Sequence, residues 1–491
     1  MMVEHFPVLI IVLPLAGAFL MPLLARRQVK LCWPALLLIL VLVLGMAVTL
    51  LWRLDSSGPY FYHLGGWPPP WGIELQVDFL RVYLLLVVLG LGLWIAVYAW
   101  RDLEHELKPE LIGWYCALYA LLIGSMAGIA LTNDLFNLFV FMEICAIASC
   151  AVITIKETRE CLEAGFKYLI LSAMGTGCYL LAVALIYMVT GHLNFALVRE
   201  ALPEAAALYP NNVLAAAALI IVAFAVKAAL FPLHVWLPDA HAAAPSPSSA
   251  VLSGVVIKIY AFALLILFYR VLPGSLLSAV PLNEVILWLS VLGIVFGSIF
   301  AMVQEDLKKM LAYSSIAQIG YVFLGIGLAN RTALVGALYH LLNHGIMKAL
   351  LFMAAGNIIH AAGLRRIKSL SGIGPKMPLT MLPFAVAGAS MIGIPGTGGL
   401  IGKWFLALGA LETGRLLIVI IIIAGSLLNA IYYLPIIINA YLNPLSEGVS
   451  FKPVPRLMTA SLLAGAAAVI FFGVFSKPVV LLLERAVTGF F

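Results

Sequence analysis

Seven residues that can gain or lose a proton stand inside otherwise apolar stretches: Glu143, Lys227, Lys258, His340, His344, Lys348 and Lys403. Such side chains are expensive at bilayer depth unless they are hydrated or paired, and they mark function by default. Carboxylate, amine and imidazole together suit one chemistry, the stepwise passage of protons. Histidine fits the middle of such a path because its ordinary pKa lies near 6.5. His340, His344 and Lys348 recur every four residues, so they share one helix face. A lone histidine would be read as a packed core residue. Three titratable groups in one stripe read as a hydrated path. Metal binding is the competing reading for His340 and His344, but no carboxylate or cysteine lies nearby to complete a ligand set.

A second group lies in LFPLHVWLPDAHAAAPSPSS, which links the apolar runs that carry Lys227 and Lys258. Proline breaks the helical hydrogen-bond ladder. Broken backbone at membrane depth is tolerated only inside protein or beside a water-filled cavity. His234 and His241 either relay protons or bond the backbone carbonyls that the break frees. Asp239 is read as tying the loop. A second break, I-P-G-T-G-G at 394–399, precedes Lys403.

The elements that must hold these groups are membrane spans. The chain is 64% hydrophobic and 10% charged over 491 residues, a balance outside soluble domains. A span needs roughly 20 apolar residues, and such runs number about fourteen, with Glu143 near the middle of the fifth. Glu143 either stays neutral and hydrogen-bonded within the bundle or acts with a lysine partner. Asp134, at the start of that span, reads as a helix N-cap. Gly175 and Gly177 suit close helix approach. Ser314, Ser315 and Gln318 read equally as interhelical glue or as a water path. The aromatic and proline-rich stretch at 53–76 reads as an ordered outer cap.

Charge sets the orientation. Of 28 Lys and Arg, sixteen fall in the odd-numbered connections and eight in the even ones. By the positive-inside rule this places the odd connections in the cytoplasm and both termini outside, in a multi-pass protein of the plasma (inner) membrane. The net charge of +6 therefore reflects topology, not nucleic-acid binding. The start, MMVEHFPVLIIVLPL, reads as a retained span rather than a signal peptide. The six cysteines form no C-x-x-C pair and read as small hydrophobes. No nucleotide loop, haem motif or iron–sulfur cluster is found, so no cofactor and no metal are expected.

Two interrupted helices in corresponding positions point to a transporter-like repeat. The breaks fall in spans 7 and 12, five apart. That divides the chain into three N-terminal helices (1–111), a first five-helix repeat (112–270), an inverted second repeat (284–442) and a last helix (443–491). Lys227 and Lys403 are then expected to be equivalent.

The segments FMEICAIAS, VKAALFPLHVWLPDAHAAAPSPSSAVLSGVVIKIY, LAYSSIAQIGY and HLLNHGIMKALLF resemble the antiporter-like subunits shared by respiratory complex I, membrane-bound hydrogenases and Mrp-type cation/proton antiporters. The resemblance covers roughly residues 70–440. It implies an all-α fold of fourteen transmembrane helices with two inverted five-helix repeats and broken helices 7 and 12. It implies that Glu143 pairs with Lys227, that Lys258 and the span 11 histidines bridge the centre, and that Lys403 ends the axis. Its partners would be the other membrane subunits of such an assembly, the lipid bilayer and protons, with sodium left open. The chain looks most like the Mrp D subunit or its hydrogenase counterpart. A complex I subunit, or a non-conducting scaffold, is the alternative.

Overall fold

In the computed structural model, residues 2–272, 281–445 and 448–490 are described. The chain is built almost wholly of helices: α1 Phe6–Gln28, α2 Cys32–Ser57, α3 Phe79–Glu106, α4 Pro109–Leu131, α5 Leu135–Thr154, α6 Arg159–Thr190, α7 Phe195–Leu208, α8 Pro210–Lys227, α9 Leu237–Ala243, α10 Ser246–Val271, α11 Leu282–Met302, α12 Leu307–Leu328, α13 Arg331–Ala362, α14 Pro378–Ile392, α15 Gly398–Glu412, α16 Leu416–Leu442, α17 Arg456–Val474 and α18 Lys477–Val487. Among the described residues, twelve helical stretches are long and apolar enough to cross a membrane. One of these, Val3–Ser57, is two crossings joined by a tight turn at Val29–Leu31. The 15-residue halves α14 and α15 form a further, broken crossing. The total is the expected fourteen.

Three features differ from the sequence reading. α7 is an extra helix between α6 and α8 that buries Phe195, Val198, Leu202 and Ala205 along one side, the spacing of an amphipathic helix lying against the bundle. The fourteenth span ends at Val474. The residues after it form α18, which packs Val480, Leu483, Ala486 and Val487 against α3 and α13. The stretch after α2 is an antiparallel hairpin, β1 Tyr60–His63 with β2 Glu74–Val77, in which Tyr60 faces Val77.

Arg81 pins that hairpin end. Its guanidinium is 1% exposed and donates to the Ala130 and Thr132 carbonyls at 3.1 and 2.6 Å, and to Gln76 and Asn133 at 3.1 Å each. A buried charge is tolerable when its donors are used in this way.

A constant spacing is legible in the capping chemistry. Asp134 accepts from Asn137 N at 2.7 Å and starts α5, while Asp306 accepts from Lys309 N at 3.0 Å and starts α12. α6 and α13 are each 32 residues long and each ends on a left-handed glycine, Gly191 and Gly363. Asp134 bridges to Asn194 and Asp306 to Arg366. The pairs 134 and 306, 159 and 331, 191 and 363, 194 and 366 are all 172 positions apart.

Asp134→Ala removes the cap of α5 and is expected to destabilise it by about 1 kcal/mol. The purified protein should melt at a lower temperature, with Asp134→Asn close to wild type. Equal melting of all three would show that the cap contributes nothing.

Candidate functional site

The two broken crossings end their first halves alike. At the end of α8, Ala229 takes a left-handed conformation (φ 55°). Leu230 N then donates to Ala225 O at 2.8 Å and Ala229 N to Val226 O at 3.2 Å, the paired bonds of a Schellman cap. The Trp236 indole satisfies the Val226 carbonyl at 2.9 Å. At the end of α14 the left-handed residue is Gly393 (φ 97°), and Ile394 N donates to Ala389 O at 3.0 Å. Each break thus uses its freed backbone groups locally, as a dry environment requires.

The two lysines expected to be equivalent meet their breaks differently. Lys227 ends the first half of its crossing, α8. Lys403 sits in the second half, α15, and reaches back across the break. Its Nζ donates to the Met391 and Ile392 carbonyls at 2.8 and 3.3 Å and to Ser426 Oγ at 3.1 Å. Lys403 thus places its head group on the C-terminus of the first half, whereas Lys227 ends its own first half and donates to Ser172 on α6.

Lys227 is 2% exposed. Its Nζ donates to Ser172 Oγ at 2.6 Å and lies 5.7 Å from the Tyr260 ring. No ion pair joins it to Glu143 among the described residues; the carboxylate acts on it through space. Glu143 is half-buried on the face of α5 that also exposes Phe136, Val140 and Ile147. Its Oε1 has no partner among the described residues. The two groups expected to pair are therefore neighbours by charge, not by contact.

α10 supplies Lys258. This helix widens into π-turns at Leu252–Val256 and Leu267–Val271, a distortion common at functional sites. The widened first turn turns the Ser253 carbonyl toward the Lys258 ammonium, which donates to it. Ser253 Oγ meets Ser315 Oγ at 2.7 Å, so Ser315 joins α10 to α12.

α13 carries the stripe. His340, His344 and Lys348 are all fully buried, and the two imidazoles lie nearly parallel with centroids 5.8 Å apart. Lys348 Nζ donates to Leu311 O at 2.7 Å, Ser314 Oγ at 2.8 Å and Tyr433 OH at 3.4 Å. Lys258 lies within electrostatic reach of His340, His344 and Lys348, and Lys403 within reach of both histidines. Both ring nitrogens of His340, His344 and His241, and both amide atoms of Gln318, lack a protein hydrogen-bond partner among the described residues. Buried polar atoms are nearly always partnered, so this concentration is a property of the site.

Missing Cβ atoms allow the close approach. A Cβ on Gly402 would lie 2.7 Å from His340 Cβ, and one on Gly345 would lie 2.9 Å from Gly254 O. These positions seat α15 and α10 against α13. Gly175 packs on Ala223 and Val226 as expected, but Gly177 has open space beside it.

His234 is 6% exposed and stacks on Phe231 at 5.2 Å. His241 stacks on Phe352 at 4.9 Å and is within reach of Lys258, Lys308 and Lys348. Asp239 does tie the loop: it pairs with Lys167 at 2.7 Å and Lys309 at 3.4 Å. Sequence reading missed Lys308. It is 3% exposed and donates to Ala244 O at 2.5 Å. It also missed Asp102 on α3, which is fully buried. Their signal was position: each lies at a helix end, where a charge is normally solvated. Tyr433 and Asn357 were missed because neutral polar residues carry no depth signal.

Of the ten expected residues, His241, Lys258, Lys348, His344, His340 and Lys403 form one series by electrostatic reach, Lys227 and Glu143 neighbour each other by charge, and His234 and Asp239 lie at the first break. Comparison with known proteins identifies the family. The NADH:quinone oxidoreductase/Mrp antiporter transmembrane family matches residues 132–429. The N subunit of the NADH-quinone oxidoreductase of Desulforudis audaxviator (strain MP104C) is 41% identical over 461 residues, 92% of this chain and 90% of that protein. The D subunit of the Na(+)/H(+) antiporter of Bacillus subtilis (strain 168) is 28% identical over 95% of this chain and 92% of its own. A chain of the archaeal membrane-bound sulfane sulfur reductase superposes with a TM-score of 0.91 at 33% identity, over 99% of this chain and 97% of that one. A chain of the Mrp complex from Dietzia sp. DQ12-45-1b gives the same TM-score at 24% identity over 100% and 98%, a likeness of fold. The chain belongs to the antiporter-like membrane subunit family shared by NADH:quinone oxidoreductases and Mrp antiporters.

Proposed function

We propose that this chain moves protons as one subunit of a larger membrane complex, along Glu143, Lys227, Lys258, His344, His340 and Lys403, with Lys348 beside the centre. The observation that carries this reading is the series of buried titratable groups running between two broken helices, with its imidazole nitrogens unpartnered among the described residues. Residues 112–270 and 284–442 form the two inverted units, supported by the constant offset of 172 positions. The basic connections face the cytoplasm and both termini face outward, supported by the sixteen-to-eight charge asymmetry.

Burial disfavours a lysine's charge, and a nearby carboxylate favours it. An ionised Glu143 therefore holds a proton on Lys227. Moving that charge away, or compensating it from a neighbouring subunit, sends the proton inward to Lys258 and the histidines. Several buried ammoniums repel one another strongly at low dielectric, so occupancy of one half opposes occupancy of the other. The higher identity to an N subunit than to a D subunit favours a redox-driven host over an Mrp host. Sodium, if the host carries it, shares the complex and not necessarily this path.

In vesicles holding the intact complex, Lys227→Ala is expected to lower proton flux at least about tenfold, since one positioned proton-transfer group contributes roughly 10²–10⁴. Loss of proton flux with sodium flux retained would make this chain the proton half of a divided machine. Full proton flux in both Lys227→Ala and Lys403→Ala would refute the axis and leave a scaffold.

A further inference from the structure

The axis described above runs at membrane depth, yet a proton must reach it from water. We infer that protons enter from the end bearing the basic connections through Glu106, Asp102 and Lys308, and join the axis at His241. This rests on the proton-conducting reading.

Asp102 is the central observation. It lies one turn from the end of α3, is 0% exposed, and neither carboxylate oxygen has a hydrogen-bond partner among the described residues. A carboxyl group in that condition is unusual, because buried polar atoms are nearly always partnered. Outward from it, at i+4 and so on the same helix face, stands Glu106. Glu106 pairs with Lys156 and accepts from Ser246 Oγ at 3.4 Å. It also lines a surface cavity of about 380 Å³ together with His105, Lys108, Lys156 and His360. A carboxylate thus faces water, and a second one stands a turn deeper.

Inward from Asp102 the series continues. Lys308 lies within reach of the charges of both Asp102 and Glu106. His241 lies within reach of Lys308 on one side and of Lys348 and Lys258 on the other. Both its ring nitrogens are free of protein partners among the described residues. The helices converge because Gly356 has no side chain: a Cβ there would meet Tyr98 OH at 2.4 Å and Ser246 Cβ at 2.8 Å. Tyr98, whose hydroxyl donates to Met353 O at 2.9 Å and Asn357 Oδ1 at 3.1 Å, flanks Asp102.

The transfer balances at each step. A proton from cavity water forms an O–H bond on Glu106. Its passage to Asp102 restores the Glu106 anion. Asp102 gives it to the neutral Lys308 amine and becomes an anion again. The resulting ammonium passes the proton to a ring nitrogen of His241. Asp102 is a relay because it alternates between the two states that its unpartnered oxygens permit.

The test measures initial proton flux into proteoliposomes holding the intact complex, for wild type, Asp102→Asn, Asp102→Glu, Glu106→Gln and Lys227→Ala. Asp102→Asn is expected to lose at least about tenfold, Asp102→Glu to keep more than half, and Glu106→Gln to lose severalfold. Azide or formate on the side of the basic connections should restore flux in Asp102→Asn, because a small weak acid can carry the missing proton, and should not restore it in Lys227→Ala. Full flux in Asp102→Asn with Lys227→Ala inactive would overturn the entry route and leave the axis intact. Full flux in both would overturn the axis itself. Loss in Asp102→Asn and Asp102→Glu alike, with no rescue by azide or formate, would make Asp102 structural and overturn the route. If Asp102→Asn does not assemble, Glu106→Gln decides: wild-type flux there overturns the proposal.

Discussion

Replacing Lys258 by methionine should abolish proton transport while leaving the protein folded. Lys258 is 1% exposed and, among the described residues, is the one group within electrostatic reach of His241, His340, His344 and Lys348 together. Methionine keeps the volume and removes the charge, and replacing a buried charge by an apolar group of similar size is often neutral or stabilising. The Ser253 carbonyl loses a donor, a cost of about 1–3 kcal/mol, which the well-packed α10 should absorb. Transport loses its central carrier, so flux should fall by about 10² or more. Lys258→Arg should be equally inactive, since a guanidinium does not release its proton in proteins. Lys258→His should keep part of the flux, because imidazole exchanges protons near neutral pH. Proton flux per assembled complex in vesicles checks all three. More than half of wild-type flux in Lys258→Met would remove Lys258 from the path.

Gly402→Ala should do comparable damage by a different route. The added methyl would lie 2.7, 2.9 and 3.0 Å from His340 Cβ, Cα and N. Backbone cannot yield as a flexible side chain does, so α15 must move off α13. Overpacking of this kind costs typically about 1–3 kcal/mol. The displacement also carries Lys403 away from His340. The expected result is a lower yield of assembled complex and a lower flux per complex in what remains. Gly177→Ala is the matched control, because a Cβ there meets nothing within 4 Å. It should behave as wild type in both measurements. If Gly402→Ala did so too, the close approach would have no functional weight.

Most of this site is readable in the sequence because lysine and histidine inside apolar runs have few innocent explanations. The breaks are readable because proline and glycine leave backbone groups that must be satisfied. The four-residue stripe of α13 needs only helix geometry. Other parts are not readable, for physical reasons. Whether Glu143 touches Lys227 depends on side-chain reach, and Ser172 stands in the contact that the carboxylate was expected to make. Lys308 and Asp102 sit a turn inside their helix ends, where sequence alone cannot separate a solvated charge from a covered one. That the Lys227 head group goes to Ser172 and the Lys403 head group to the end of α14 depends on side-chain reach, which position in the sequence does not give. The π-turns of α10 and the short helix α7 leave no trace in hydropathy strong enough to distinguish them from ordinary helix and loop.

The contact of Lys403 with the end of α14 has a mechanical consequence. A helix C-terminus carries about half a negative charge. The ammonium that offsets it here belongs to the other half of the broken crossing. Between the halves lie five residues, two of them glycines in left-handed conformation, Gly393 and Gly396. The joint is therefore a glycine-bearing strap spanned by Lys403 and by the Gly399 N–H, which donates to Ser390 Oγ at 3.0 Å. On the proposed path, a proton leaving Lys403 would weaken its hold on the end of α14 and one arriving would strengthen it, so charge moving along the interior would change how tightly the two halves of this crossing are tied.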